Sequence, residues 1–249
     1  MSGLVFRQLF DSTSSTYTYI IGCGVTRLAA IIDPVYEKVS RDVKMISELN
    51  LQLKYALNTH CHADHVTGTA ALRTATGCQT IISKASAAKA DLFLNDNEKV
   101  KIGNLELEAR STPGHTDGCM TFVLHSHGMC FTGDALMIRA CGRTDFQQGD
   151  ARRLYHSVHS RVFSLPEEFS VYPAHDYQGR TQSSVREEKL YNPRLTKSEE
   201  EFATIMENLG LRYPAKIDVS VPWNMRCGPT VVEDKEILAD IAANKPPAN

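Results

Sequence analysis

No apolar run in this 249-residue chain approaches the ~20 residues that crossing a bilayer requires, so a membrane-spanning helix is excluded. An excess of either charge is missing too. Lys and Arg number 27 against 29 Asp and Glu, a net −2 that gives no footing for nucleic acid or an anionic membrane surface. The seven cysteines lack the paired spacing of a disulfide framework or a CxxC zinc knuckle. The opening residues MSGLVFRQLF show no basic segment, apolar core and cleavage site. Free thiols in a reducing compartment are therefore expected, either the cytoplasm or an organelle entered through a transit peptide since removed. Internal repeats, low-complexity tracts and long linkers are absent as well. What remains is an ordinary globular composition, 42% hydrophobic and 22% charged. Its length suits one domain over 1–249, with a helical extension from about residue 185.

The local pattern predicts β-β-α-β over the first sixty residues. Tyr17 to Ile21 and Leu28 to Ile32 are short apolar or β-branched runs, and Asp33-Pro34 closes the second. Val43, Ile46 and Leu49 stand at helical spacing before a further strand, Leu53 to Leu57. One phrase then recurs, a strand running into a polar loop. Leu53 to Leu57 leads to Asn58-Thr59-His60, and Leu105 to Ala109 to Pro113-Gly114-His115. Met129 to Phe131 leads to Thr132-Gly133-Asp134, and Val171-Tyr172 to Pro173-Ala174-His175. Loops at strand ends on a rigid scaffold are where reactive groups usually sit. Towards the C-terminus, Ser198 and Glu201 form a capping box. Phe202, Ile205, Met206 and Leu209 make a helical stripe that Gly210 should end, and a weaker helix is expected from Glu233 to Ala243.

Thr59-His60-Cys61-His62-Ala63-Asp64-His65 packs three imidazoles and a carboxylate into six residues, more than a surface loop needs. These are good ligands for first-row transition metals, and His115, Asp134 and His175 join them from other strand ends. Cys61 alternates with the histidines and should pack rather than ligate, as should Cys141. His125 and His127 precede Gly128 in an expected hairpin turn, and His156 and His159 are i, i+3 on an expected helix with structural roles.

His60-x-His62-x-Asp64-His65 followed by His115, Asp134 and His175 resembles the metal motif of the metallo-β-lactamase superfamily. That likeness implies an α/β fold, a four-layer αββα sandwich with its site at one edge. A narrower resemblance covers nearly the whole chain. Cys141-Gly142-Arg143-Thr144-Asp145-Phe146-Gln147-Gln148-Gly149, Tyr172 to Tyr177, Asn192-Pro193-Arg194-Leu195 and Asn224-Met225-Arg226-Cys227-Gly228 look like the persulfide dioxygenase family (sulfur dioxygenases), relatives of glyoxalase II. The resemblance implies oxidation of glutathione persulfide by O₂ and water to sulfite and glutathione. It also implies one Fe(2+) per chain held by His60, His115 and Asp134, a homodimer, and the mitochondrial matrix.

In that scheme His62, Asp64, His65 and His175 orient ligands and water, and Tyr177 approaches the iron or the thiol. Arg143 and Arg194 offer cations to the carboxylates of glutathione. The alternative is a thioester hydrolase of the glyoxalase II kind, using all seven ligand positions for two zinc-class ions. By ligand chemistry alone the seven positions favour two metals. A further alternative, a non-catalytic scaffold of the same fold, is hard to square with a complete ligand set.

Overall fold

The computed structural model describes residues 3–230. The helix expected over Glu233 to Ala243 lies outside them. The first sheet runs β1 (Leu4–Asp11), β2 (Thr16–Cys23), β3 (Leu28–Ile32), β4 (Gln52–Leu57), β5 (Gln79–Ser83) and β6 (Leu92–Leu94), side by side in chain order. The second contains β7 (Lys99–Ile102), β8 (Leu105–Ser111), β9 (Met120–Leu124), β10 (Met129–Gly133), β11 (Ser170–Pro173) and β12 (Ser183–Ser184), again in order. Helices α1 (Val39–Glu48) and α2 (Thr69–Thr76) cross between strands of the first sheet. Helix α3 (Ala151–Ser157) precedes β11, and α4 (Val185–Tyr191), α5 (Glu199–Glu207) and α6 (Ile217–Asn224) follow β12.

Alternation along the strands explains the layers. Tyr19, Ile21 and Ile32 from one sheet meet Leu107, Phe122 and Phe131 from the other in the central core. The intervening residues face outward. Ile20, Ile31 and Ala56 pack under Val43 and Ile46 of α1 and Leu72 of α2. Val123, Cys130 and Val171 pack under Leu154, Val185 and Phe202 from α3, α4 and α5. Helix, sheet, sheet, helix is the αββα sandwich expected of the motif.

Two local expectations need correcting, and the others hold. The chain opens β-β-β-α-β, because β1 pairs antiparallel with β2 along its full length. Helix α5 begins with the expected capping box but ends at Glu207, with Asn208 as its cap, short of Gly210. His156 lies on α3 and His159 in the π-helical turn that continues it, where they bond Glu199 and the Leu195 carbonyl. His125 and His127 form a tight turn before Gly128, whose φ of +61 lies in the left-handed region. All seven cysteines are free and buried. Ser198→Ala removes the hydroxyl that accepts from the Glu201 N–H, and should cost about 1 kcal/mol of stability. A urea midpoint lowered at unchanged slope would register the loss.

Candidate metal centre

Strands β3 and β4 of the first sheet and β8, β10 and β11 of the second run out into loops at one edge, and the expected residues meet there. The loop after β4 carries His60 to His65, the loop after β8 carries His115, Asp134 follows β10 and His175 follows β11. The two sheets are tied together at this edge. Tyr17 N–H donates to the Ala174 carbonyl at 2.7 Å, and the Tyr19 hydroxyl donates to the Pro173 carbonyl at 2.6 Å.

Two groups of ligand atoms form, each with its atoms within 4.8 Å of one another: His60, His115 and Asp134 in one, His62, Asp64, His65 and His175 in the other. In the first, Nε2 of His60 is 3.9 Å and Nε2 of His115 is 3.7 Å from Asp134 Oδ2. Two ligands each about 2.1 Å from an ion stand at most about 4.2 Å apart, so one ion fits among these three. Their outer atoms set the tautomers. The Thr59 hydroxyl donates to Asp33 Oδ2 at 2.8 Å, so towards His60 Nδ1, 2.9 Å away, it accepts. The Arg143 carbonyl accepts from His115 Nδ1 at 2.6 Å. Both rings therefore carry the proton on Nδ1 and turn the Nε2 lone pair inward. Asp134 Oδ1 is held by His175 at 2.7 Å, leaving Oδ2 for the ion.

His175 links the groups, since its Nε2 also meets Asp64 Oδ2 at 2.9 Å. Burial opposes charge on all three side chains, but their mutual attraction overrides it. Asp134 and Asp64 are held well below the usual carboxylate range and His175 well above the usual imidazole range. His60 and His62, by contrast, are pushed down by burial and their neighbouring rings. His62 Nδ1 and His65 Nε2 are buried without a hydrogen-bond partner, whereas His62 Nε2 stands 3.1 Å from Asp33 Oδ1, so His62 and His65 each keep an open nitrogen for the second group.

Beside the first group lies a cleft of about 750 Å³ whose wall includes Asp64, His115, Asp134, Tyr177 and Arg194. Tyr177 is 68% exposed, its ring parallel to that of His175 with centroids 6.3 Å apart. Arg194 is half-buried, and Nη1 donates to the Cys141 carbonyl at 3.1 Å. Its cationic head has no carboxylate partner among the described residues. Arg143 Nε and Nη2 each stand 2.6 Å from the Asp145 carboxylate, Nη1 donates to the Arg212 carbonyl at 2.8 Å, and Phe146 lies under it. Arg143 lines the same cleft with its guanidinium already paired, and it also serves the site through the carbonyl that holds His115. Cys61 packs with Ile82 and Ala88, its thiol pushed up to about 12 by burial, and Cys141 contacts Met206.

Sequence reasoning missed Asp33, Arg212 and Lys216. Asp33 follows β3, accepts from Thr59 N–H at 2.7 Å, and places Oδ1 3.1 Å from His62 Nε2. It is a fifth acidic or imidazole group at a strand end, disguised as an Asp-Pro turn. Arg212 and Lys216 are exposed cations on the cleft wall, and a charge in a polar loop gives no sequence signal.

The sequence profile of the metallo-beta-lactamase superfamily matches residues 13–175. Persulfide dioxygenase ETHE1, mitochondrial, of Homo sapiens is 56% identical over 226 residues, 90% of this chain and 89% of that protein. A probable hydroxyacylglutathione hydrolase of Schizosaccharomyces pombe is 34% identical over 182 residues, 72% of this chain and 69% of that one. The crystal structure of ETHE1 from Myxococcus xanthus superposes with a TM-score of 0.88 at 50% identity, covering 90% of this chain and 100% of that one.

Proposed function

The chain belongs to the metallo-beta-lactamase superfamily and, within it, to the persulfide dioxygenases, and from that membership we propose that it oxidises glutathione persulfide with O₂ and water to sulfite and glutathione. The observation that carries the reading at the site is the three-ligand face of His60, His115 and Asp134 beside a cleft lined by Arg194, which has no carboxylate partner among the described residues. Two imidazoles and one carboxylate suit a ferrous ion and leave open positions on it. One Fe(2+) per chain, bound there, would supply the redox chemistry that lets a closed-shell persulfide react with dioxygen.

The protein's own groups do the rest. Thr59 and the Arg143 carbonyl fix the rings of His60 and His115 with Nε2 aimed inward. His175 keeps a proton between Asp134 and Asp64, so the buried site holds two carboxylates without shedding charge. Asp64 and His175, with His62 and His65 behind them, are the groups to orient the water that completes sulfite. Arg194 receives one glutathione carboxylate, Arg212 and Lys216 lie within the same cleft for the other, and Tyr177 shields the reacting sulfur from the mouth. The human relative bears the word mitochondrial in its name, which supports a mitochondrial location, and we place the protein in the matrix. The family likeness also supports a homodimer.

A thioester hydrolase is the second reading, favoured by the open nitrogens of His62 and His65 in the other ligand group. The ferrous protein incubated with glutathione persulfide should consume O₂ and release sulfite in equal amounts. Cleavage of lactoylglutathione with no oxygen uptake would replace the dioxygenase with the hydrolase.

A further inference from the structure

The segment Asn224-Met225-Arg226-Cys227-Gly228 has no part in the chemistry above, yet it reaches the metal-binding loop. Residues 58–66 form neither helix nor strand. Buried carbonyls in such a loop need partners from elsewhere. Asn224, at the end of α6 and 3% exposed, supplies them. Its Nδ2 donates to the carbonyls of both His62 and His65 at 2.8 Å, and its Oδ1 accepts from Thr67 N–H at 2.8 Å. One amide thus spends both its donors and its oxygen on three backbone groups of a single turn. Gln147, from the loop that carries Arg143, does the same for the preceding residue by donating to the Cys61 carbonyl at 2.9 Å.

The clamp is itself anchored. The Cys227 carbonyl accepts from Ala70 N–H at 3.1 Å and Thr69 Oγ1 at 3.1 Å, and the Met225 carbonyl accepts from Lys89 N–H at 2.9 Å. Gly228 has φ +81 and approaches so closely that a Cβ would stand 2.3 Å from the Thr67 carbonyl oxygen. The amide is therefore presented from a fixed backbone at a fixed distance.

We propose that Asn224, seconded by Gln147, is a positioning residue that holds the turn between His60 and His65 in its metal-binding shape. Each side chain acts on backbone groups of the loop and belongs to neither ligand group. Asn224→Asp keeps the acceptor for Thr67 but loses both donors and sets a carboxylate against two carbonyls, whereas Asn224→Ala leaves all three groups unpaired.

The proposal depends on a metal being held by this loop, and is independent of the substrate. Iron and zinc release to a chelator are measured on the purified protein, with thermal melting of the metal-free and metal-loaded forms. Release from Asn224→Asp should quicken by about 10- to 100-fold. The metal-free melting temperature should change less than the increment that metal adds. A lowered metal-free melting temperature with unchanged release would assign Asn224 to packing alone and overturn the proposal. If Asn224 variants do not fold, Gln147→Ala decides, since its side chain is only half-buried. Faster release supports the proposal and unaltered release ends it. Failure of the dioxygenase reading would appear instead as absent O₂ uptake by the unaltered protein, leaving these rates interpretable.

Discussion

His115→Ala should lower O₂ consumption by about 10³-fold or more and strip most of the bound iron. The loss of one of three ligands removes several kcal/mol of metal-centred stabilisation, and each ~1.4 kcal/mol is tenfold in rate. The ring is well suited to the test. It sits in a loop after β8, so its removal does not breach either sheet. Its Nδ1 is spent on the Arg143 carbonyl and its Nε2 faces Asp134, so both polar atoms serve the site. His115→Gln should not rescue, because an amide cannot reproduce both the donor to Arg143 and the inward lone pair. A variant that keeps its iron and loses less than about tenfold would take His115 out of the ligand set.

Arg194→Ala should raise KM for glutathione persulfide by about 10- to 150-fold with kcat nearly unchanged. A hydrogen bond to a charged group contributes about 1.5–3 kcal/mol. A contact made equally in the ground and transition states appears in KM alone. The split distinguishes Arg194 from Arg143, whose guanidinium is bound to Asp145 and whose carbonyl holds His115. Arg194→Lys should recover part of the affinity, since charge survives and the planar fork does not. An unchanged KM would place the substrate carboxylates elsewhere on the cleft, with Arg212 and Lys216 next in line.

The site was legible to the degree that its residues ride on strand ends. Apolar runs marked β4, β8, β10 and β11, and the polar residue just past each named a ligand. Asp33 obeys the same rule, but its turn hides it. Its φ of +52 and its reach to Thr59 and His62 are features of the folded chain only. For Arg143, nothing in the sequence says that Asp145, two residues on, captures the guanidinium. Helix α6 escaped because its buried face mixes Ile217 with Ser220 and Asn224 and it contains Pro222, so no apolar period announces it. Strand β1 lies half-buried along most of its length and lacks clean alternation. Ligand chemistry alone also pointed to two metals. Family resemblance, not ligand chemistry, divided the seven positions into two groups, and the folded chain adds that His175 joins them.

The central claim is a single ferrous ion on His60, His115 and Asp134. Metal content of the protein expressed in iron-replete medium tests it most directly, and the account predicts one iron per chain with little zinc. Two zinc ions per chain, filling His62, Asp64, His65 and His175 as well, would contradict it.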